Sequence, residues 1–479
     1  MKPPVLKAAL AVAAVLSVAG AAFGQEIDQR RIDRQLRVAE TALSRFRPDP
    51  SLKLDELSFF DVGGNLSFQS VFLKDQEANS RTLLQSTATF YARGSINGAH
   101  TAFARATFAY RAFSQGDSFD GRGDRLAEPI PDRYWYEFDL RNALAAGDAP
   151  TIDGNFNIRV GRQFIDWGAG LALSETLYAA RPTLEFSKNL RIEGLAGITP
   201  DHTVDFDASR VDYDEKTRRT YLGARLVAKD AAANEYYAYY LYSGDNYNRT
   251  TSRAPIIFTD AKFDHTSNFL GLGTNLTISD DLQVLFEAVA QLGNNYSDPL
   301  RGTQTREDVK AGATRAQFAY LLRDATRSRV ELEFLAGTGD DDRLSSTDTV
   351  GGNAPGTTDH AFNTLGFANT GLAFGGSLNN LWSTRLGFSC EPFPDLGPIS
   401  ALQVGIDGFV FSKISANAPI DELSNQSKFL GGEVDFFLNY RINSDLAFSA
   451  RYGIFLPGEA IAGSRHARDF ALFSIVLSF

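Results

Sequence analysis

Arginines and carboxylates recur in this chain at every second residue of segments that are otherwise apolar. Arg105 and Arg111 stand in "HTAFARATFAYRAF", Arg159 in "FNIRVGRQ", Arg191 with Glu193 in "LRIEGLA", and Arg225 with Lys229 in "YLGARLVAK". Arg315 and Arg323 share "RAQFAYLLR", Glu331 lies in "RVELEFLA", and Arg385, Glu433, Arg441 and Arg451 belong to the last third. Charges at that spacing share one face of an extended backbone. A row of guanidiniums attracts carboxylates, phosphates and sulfates, and neighbouring Glu side chains order it and temper its affinity. A conduit needs that balance, because a wholly cationic wall would hold an anion too tightly to release it. Arg162 and Asp166 in "GRQFIDWGAG" are set apart: a strand end followed by glycines can turn inward and form a constriction. The bland alternative for each charge is a structural salt bridge in a wet interior.

Catalytic and metal chemistry find little support. The five histidines, His100, His202, His265, His360 and His466, have no metal-ligand spacing. There is no Gly-x-Ser-x-Gly elbow, and the close pair Ser464 and His466 sits in a loop-like stretch. "GDDD" at 339 to 342 reads as a solvated acidic loop rather than a cation site. The single cysteine, Cys390, excludes an intramolecular disulfide and a cysteine-based metal cluster. No cofactor is expected, and no enzyme. Formal net charge is -11, which argues against a nucleic-acid partner.

The elements that carry these charges alternate with period two. "YWYEFDLR" sets Tyr134, Tyr136, Phe138 and Leu140 against Trp135, Glu137, Asp139 and Arg141. "GGEVDFFLNYR" sets Val434, Phe436, Leu438 and Tyr440 against Glu433, Asp435, Asn439 and Arg441. Such segments recur from residue 57 onward, including ones starting near 203, 219, 267, 382 and 468, and make about eighteen strands. Because an Arg or Lys facing lipid at mid-bilayer costs about 2–4 kcal/mol, the charged face must be a lumen and the apolar face a lipid contact. The expected fold is all-β: a transmembrane antiparallel β-barrel, with a short N-terminal helix. Tight turns at 187–189, 279–281 and 443–445 would be periplasmic, and the long polar stretches at 114–132, 244–266, 295–311 and 338–365 outer loops.

Residues 1–24 carry Lys2, Lys7, a short apolar core and small residues at Ala22 and Gly24, the pattern of a cleaved secretory signal. Residues 25–50 show a helical stripe of Ile32, Leu36, Ala39, Leu43 and Phe46, read as a small periplasmic helix, with a short trimerising coil as the alternative. The barrel would then occupy 51–479.

Three blocks resemble the alginate-export family of outer-membrane barrels: "VGRQFIDWGAGLALSETLYAARPTLEF" at 160–186, "GGEVDFFLNYR", and "YGIFLPGEA". The resemblance implies an eighteen-stranded barrel with a charged lumen, passing small anionic solutes or an anionic exopolysaccharide. In such barrels a terminal aromatic like Phe479 is the signal read by the insertion machinery, and polymer export would engage periplasmic partner proteins. Outer-membrane lipid is the expected surrounding, and the protein a monomer or trimer. The mixture of carboxylates with arginines departs from a purely cationic polymer conduit. The alternative function is an outer-membrane barrel enzyme or an adhesin displaying long loops. The closing run "FALFSIVLSF" would place Phe473, Ile475, Leu477 and Phe479 toward lipid, with Ser474 and Ser478 toward the lumen.

Overall fold

The computed structural model describes residues 58–113, 123–147, 153–210, 213–246, 261–346, 352–463 and 465–479. The proposed signal and N-terminal helix lie outside the described residues. Alternating side chains form one antiparallel sheet that closes on itself, because β1 (Phe59–Lys74) pairs with both β2 (Ser80–Ile96) and the final strand β19 (Arg468–Ser478). Between them run β3 (His100–Phe113), β4 (Arg125–Ala127), β5 (Arg133–Asp139), β6 (Asn155–Trp167), β7 (Leu173–Ser187), β8 (Leu190–Ile198) and β9 (Arg219–Lys229). Next come β10 (Glu235–Asp245), β11 (Thr266–Ser279), β12 (Leu282–Tyr296), β13 (Arg306–Leu321) and β14 (Arg329–Gly337). The circuit ends with β15 (Leu381–Cys390), β16 (Leu402–Lys413), β17 (Phe429–Arg441), β18 (Leu446–Pro457) and β19. Because β4 and β5 both pair with β3 and form one interrupted stave, the nineteen segments make an eighteen-stave barrel.

Closure removes every sheet edge, as a membrane interior demands of backbone polar groups. At the seam, Gly64 N–H donates to Phe479 O at 2.8 Å and Phe479 N–H to Gly64 O at 3.0 Å. Phe473, Ile475, Leu477 and Phe479 face outward and are exposed, while Ser474 is buried inside. The same outward row continues round the barrel through Phe68, Phe90, Tyr136, Leu226, Leu272, Leu386 and Phe436. This apolar belt is the surface that lipid covers.

The turns sort by length. Residues 188–189, 280–281 and 442–445 are tight and lie at the rim where the chain enters and leaves the barrel. Connections at the opposite rim are mostly long. Several expectations need correction. Residues near 203 form no strand, because Asp205, Phe206 and Arg210 turn into the barrel and are buried there. Strand pairing extends into the stretch at 295–311, leaving a loop at only 297–305. "YWYEFDLR" stops at Asp139, whose carboxylate accepts from Asn142 N–H at 2.9 Å and caps the helix α1 (Leu140–Ala146). Arg141 therefore sits on α1, where it meets Glu185 at 3.4 Å. Arg323 is not lumenal: it stands in a turn beyond β13 and pairs with Asp280 and Asp281. The described residues of the 338–365 stretch do not extend outward as a free loop. Ala361, Phe362 and Leu365 are buried, and the chain from 359 to 380 is packed inside the barrel.

Candidate functional site: a charged lumen narrowed from two sides

Two inward segments shape the passage. β6 and β7 pair through Trp167 and Leu173, but β5 accompanies β6 only as far as Arg162, and β8 accompanies β7 only as far as Tyr178. Beyond those points the hairpin has no neighbour in the wall and bends inward as a tongue. Its Ile165 and Trp167 are fully buried against Tyr221, Tyr239, Leu241 and Phe269 from the opposing inner face. At its tip Ala169 N–H donates to Glu287 on β12 at 2.9 Å. Gly168 is required there: its φ is +69°, and a Cβ would lie 2.1 Å from the Glu287 carboxylate.

The second segment is the crossing loop between β14 and β15. Ser174 N–H donates to Leu365 O at 2.9 Å, and Phe367 N–H to Gly170 O at 2.9 Å, so the loop lies along the tongue. Further on, Ala373 and Phe374 N–H groups donate to the two Glu433 oxygens at 2.6 and 2.7 Å, and Leu372 N–H to Asp435 at 3.2 Å. Phe374 then stacks on Phe411 at 4.4 Å and packs on Phe455 at 5.0 Å. A third inward loop, 199–218, is locked by charge: Arg219 and Arg210 both bind Asp205, and Arg210 also binds Asp245 at 2.7 Å. Burial opposes ionisation of Asp205, but Arg219 and Arg210 outweigh it and hold its carboxyl below the usual carboxylate range. Burial, reinforced by Arg219 and Arg343, pushes the neighbouring His265 imidazole down to about 3.

Between these segments and the wall remains a cavity of about 1350 Å³. Of the residues singled out from sequence, Arg105, Arg111, Arg162, Asp166, Arg315, Glu331, Arg385 and Arg451 line it. Arg162 marks the hinge of the tongue, its guanidinium 5.5 Å from the Tyr178 ring centroid. Asp166 accepts from Ser174 Oγ at 2.5 Å within the tongue. Arg385 is held by three carboxylates: Glu331 at 2.8 Å, Glu333 at 2.9 Å and Asp407 at 2.9 Å. Arg315 joins the same network through Glu333 at 2.7 Å.

The remaining residues fall elsewhere. Arg191, Glu193 and Arg225 form a separate inner-wall cluster, with Arg191–Glu193 at 2.7 Å and Arg225–Glu193 at 2.5 Å. Arg159 pairs with Glu137 at 2.5 Å. Glu433 points inward yet does not line the cavity: the crossing loop covers it, and its oxygens are taken by backbone N–H groups. Arg441 is exposed at the end of β17, at the short-turn rim. Sequence reasoning passed over Arg133, Asp132 and Asp407, which also line the cavity. Arg133 and Asp407 share strand faces with Trp135 and Gln403, so the same alternation could have found both.

The strongest contrast in charge lies on β3–β5. Among the described residues Arg105 is bound to Asp132, Arg111 donates to Gln85 at 3.1 Å and has no ion pair, and Arg133 has none either. Of the residues that line the cavity, that sector contributes three guanidiniums, Arg105, Arg111 and Arg133, and one carboxylate, Asp132, whereas the β14–β16 wall neutralises its arginines.

Solved structures share this architecture. OccK11 (OpdR) of Pseudomonas aeruginosa matches over 88% of this chain and 96% of its own at 14% identity and a TM-score of 0.51. OccAB1 of Acinetobacter baumannii matches over 88% and 96% at 12% identity and 0.51, and OccAB4 of the same organism over 89% and 100% at 10% and 0.51. At such identities the likeness fixes the fold. No curated protein matches the sequence. A closed eighteen-stave barrel with a lipid belt and a charged, loop-narrowed interior is that of a Gram-negative outer-membrane channel. Residues 200–471, more than half of the chain, match the alginate export family, and the chain belongs to it. The block at 160–186 lies outside the matched residues.

Proposed function

We propose that the barrel passes anions without turnover, either small anionic solutes or an anionic exopolysaccharide, by diffusion through the cavity between tongue, crossing loop and wall. The observation that carries this reading is the excess of guanidinium where β3 and β5 line the cavity: among the described residues Arg111 and Arg133 have no ion pair, and Asp132 is taken by Arg105. Guanidiniums held beside water at a constriction lower the cost of partly dehydrating an anion there. The paired β14–β16 wall keeps the total charge near balance, so an anion that enters can also leave. Family membership favours a saccharide cargo, and export of a polymer would engage periplasmic partner proteins. The adhesin alternative is weakened because much of the longest described loop is spent inside the barrel rather than displayed. In planar bilayers under a salt gradient, the reversal potential should show chloride preference. The triple variant R105Q/R111Q/R133Q should lose most of it. An unchanged reversal potential would refute the assignment.

A further inference from the structure

The tongue leaves a gap in the wall behind it. Val160 and Arg162 on β6 and Tyr178 on β7 share one face of the hairpin. Below the bend that face meets lipid, and Val160 and Tyr178 are exposed. Above the bend the same face continues through Phe164 and Asp166, which line the cavity. One surface therefore runs from the bilayer into the lumen, with Arg162 where it crosses. The chain on either side does not close the gap by strand pairing. Residues 128–133 stay against β3, where Thr107 N–H donates to Ile130 O at 2.8 Å. Residues 199–203 stay beside β9, where Thr199 N–H donates to Arg219 O at 3.0 Å. Among the described residues no hydrogen bond joins these two segments, and their one polar link is His202 Nε2 to Glu128 Oε2 at 3.5 Å. Pro129 and Arg133 from the first segment and Pro200 and Thr203 from the second line the cavity.

A window is thus framed by Arg162 below, the two segments at its sides and the His202–Glu128 contact above. Phe108, Tyr110 and Leu126 beside it and Ile198 at its foot are exposed apolar side chains, so it opens on lipid. Unpaired backbone at membrane depth is tolerated only against protein or water, so lumenal water has to reach the window. At its inner margin stand Arg133 and Arg162. The Nε atom of each is buried without a hydrogen-bond partner, neither guanidinium has an ion pair among the described residues, and Arg162 is only 7% exposed. Arg162 Nη1 donates to the Tyr178 hydroxyl at 3.4 Å, so the guanidinium lies against a lipid-facing ring. An occupant that spans guanidinium and hydrocarbon has to be amphiphilic, and the planar fork of Arg fits a carboxylate. We propose that the gap is a lateral window for a long-chain carboxylate, whose head group binds Arg133 and Arg162 while its acyl chain passes over Val160 into the outer leaflet. The inference goes beyond anion passage through the lumen and does not depend on it.

The test is fluorescence quenching in proteoliposomes. W382F removes the tryptophan that faces lipid and leaves Trp135 and Trp167 inside the barrel. Stearate with a doxyl label near its carboxylate should quench this variant saturably, and more than phosphatidylcholine labelled at the same chain position. Laurate should reverse the quenching and acetate should not. Stearate labelled at its far end should quench less, because that label lies in lipid. Adding R133Q/R162Q should raise the half-quenching concentration of the head-labelled stearate about tenfold. Equal quenching by fatty acid and phospholipid overturns the window, as does an unchanged half-quenching concentration in the arginine variant. Equal quenching from both label positions would put the whole molecule in the lumen, and displacement by acetate would make the site one for a head group alone; either result overturns the proposal. If the arginine variant does not insert, the label and competitor comparisons in W382F decide. Loss of chloride preference in the reversal potential would strike the channel reading and leave the window standing.

Discussion

Glu433 is the hinge pin of the constriction, and replacing it with Gln tests whether the crossing loop sets the width of the passage. The carboxylate accepts two N–H groups at 2.6 and 2.7 Å, from Ala373 and Phe374. Hydrogen bonds to charged groups contribute about 1.5–3 kcal/mol each and neutral ones about 0.5–1.5. Gln keeps the shape but can accept through only one atom, and its amide hydrogens would face the other donor. The net loss is roughly 2–4 kcal/mol, which shifts the ratio of docked to undocked loop by about 30- to 1000-fold. The stack of Phe374 on Phe411 remains, so the loop should detach locally rather than leave the lumen. Single-channel recording should then show higher-conductance openings and greater open-channel noise. G371A approaches the same contact from the other side: Gly371 has φ +86°, and a Cβ would lie 2.6 Å from the Glu433 carboxylate. If both variants gave wild-type conductance and noise, the loop would not be what narrows the pore.

Two further outcomes follow from the charge networks. R385Q removes the Asp407 ion pair while Arg315 still serves Glu333, so anion preference should fall and the barrel should lose roughly 3 kcal/mol in urea titration; R385K should recover part of both. His265, neutral in the folded loop with a pKa of about 3, must take up a proton on unfolding below its ordinary value near 6.5. The unfolded state then binds more protons than the folded one, so its contribution to stability is full above about 6.5 and declines as pH falls toward 3. H265N should flatten that part of the pH–stability curve, and identical slopes in variant and wild type would contradict the burial argument.

Much of the wall was legible because alternation is imposed residue by residue. One face of β17 had to meet lipid at Val434 and Phe436, and the other had to meet water or loops at Glu433 and Asp435. The strand count followed from the same constraint, as did the inward bend at "DWGAG", whose glycines admit positive φ at Gly168 and Gly170. What the constraint could not reveal was a second layer inside the barrel. The stretch "HAFNTLGFANTGLAFGG" has no strand or helix period, so its polar residues resemble a surface loop. Its Phe362, Leu365, Leu372 and Phe374 were the available clue, since a solvated loop does not need four large apolar side chains. The role of Glu433 was missed for the same reason: parity shows that a carboxylate points inward, but not that a distant backbone covers it. The helix α1 is only seven residues long and offers too few turns for a period to emerge.

The crossing loop also bears on the order in which the molecule is made. Thr364 Oγ1 donates to Leu171 O across 193 residues of sequence, and the loop's other anchor is on β17, which follows it in the chain. Contacts of such separation form late, after the chain entropy of the intervening loops has been overcome. The narrow passage is therefore the last feature to be built. A nascent chain that lacks β17 is an open sheet whose crossing loop has no Glu433 to dock on, and the passage takes its final width only with the strands that close the barrel.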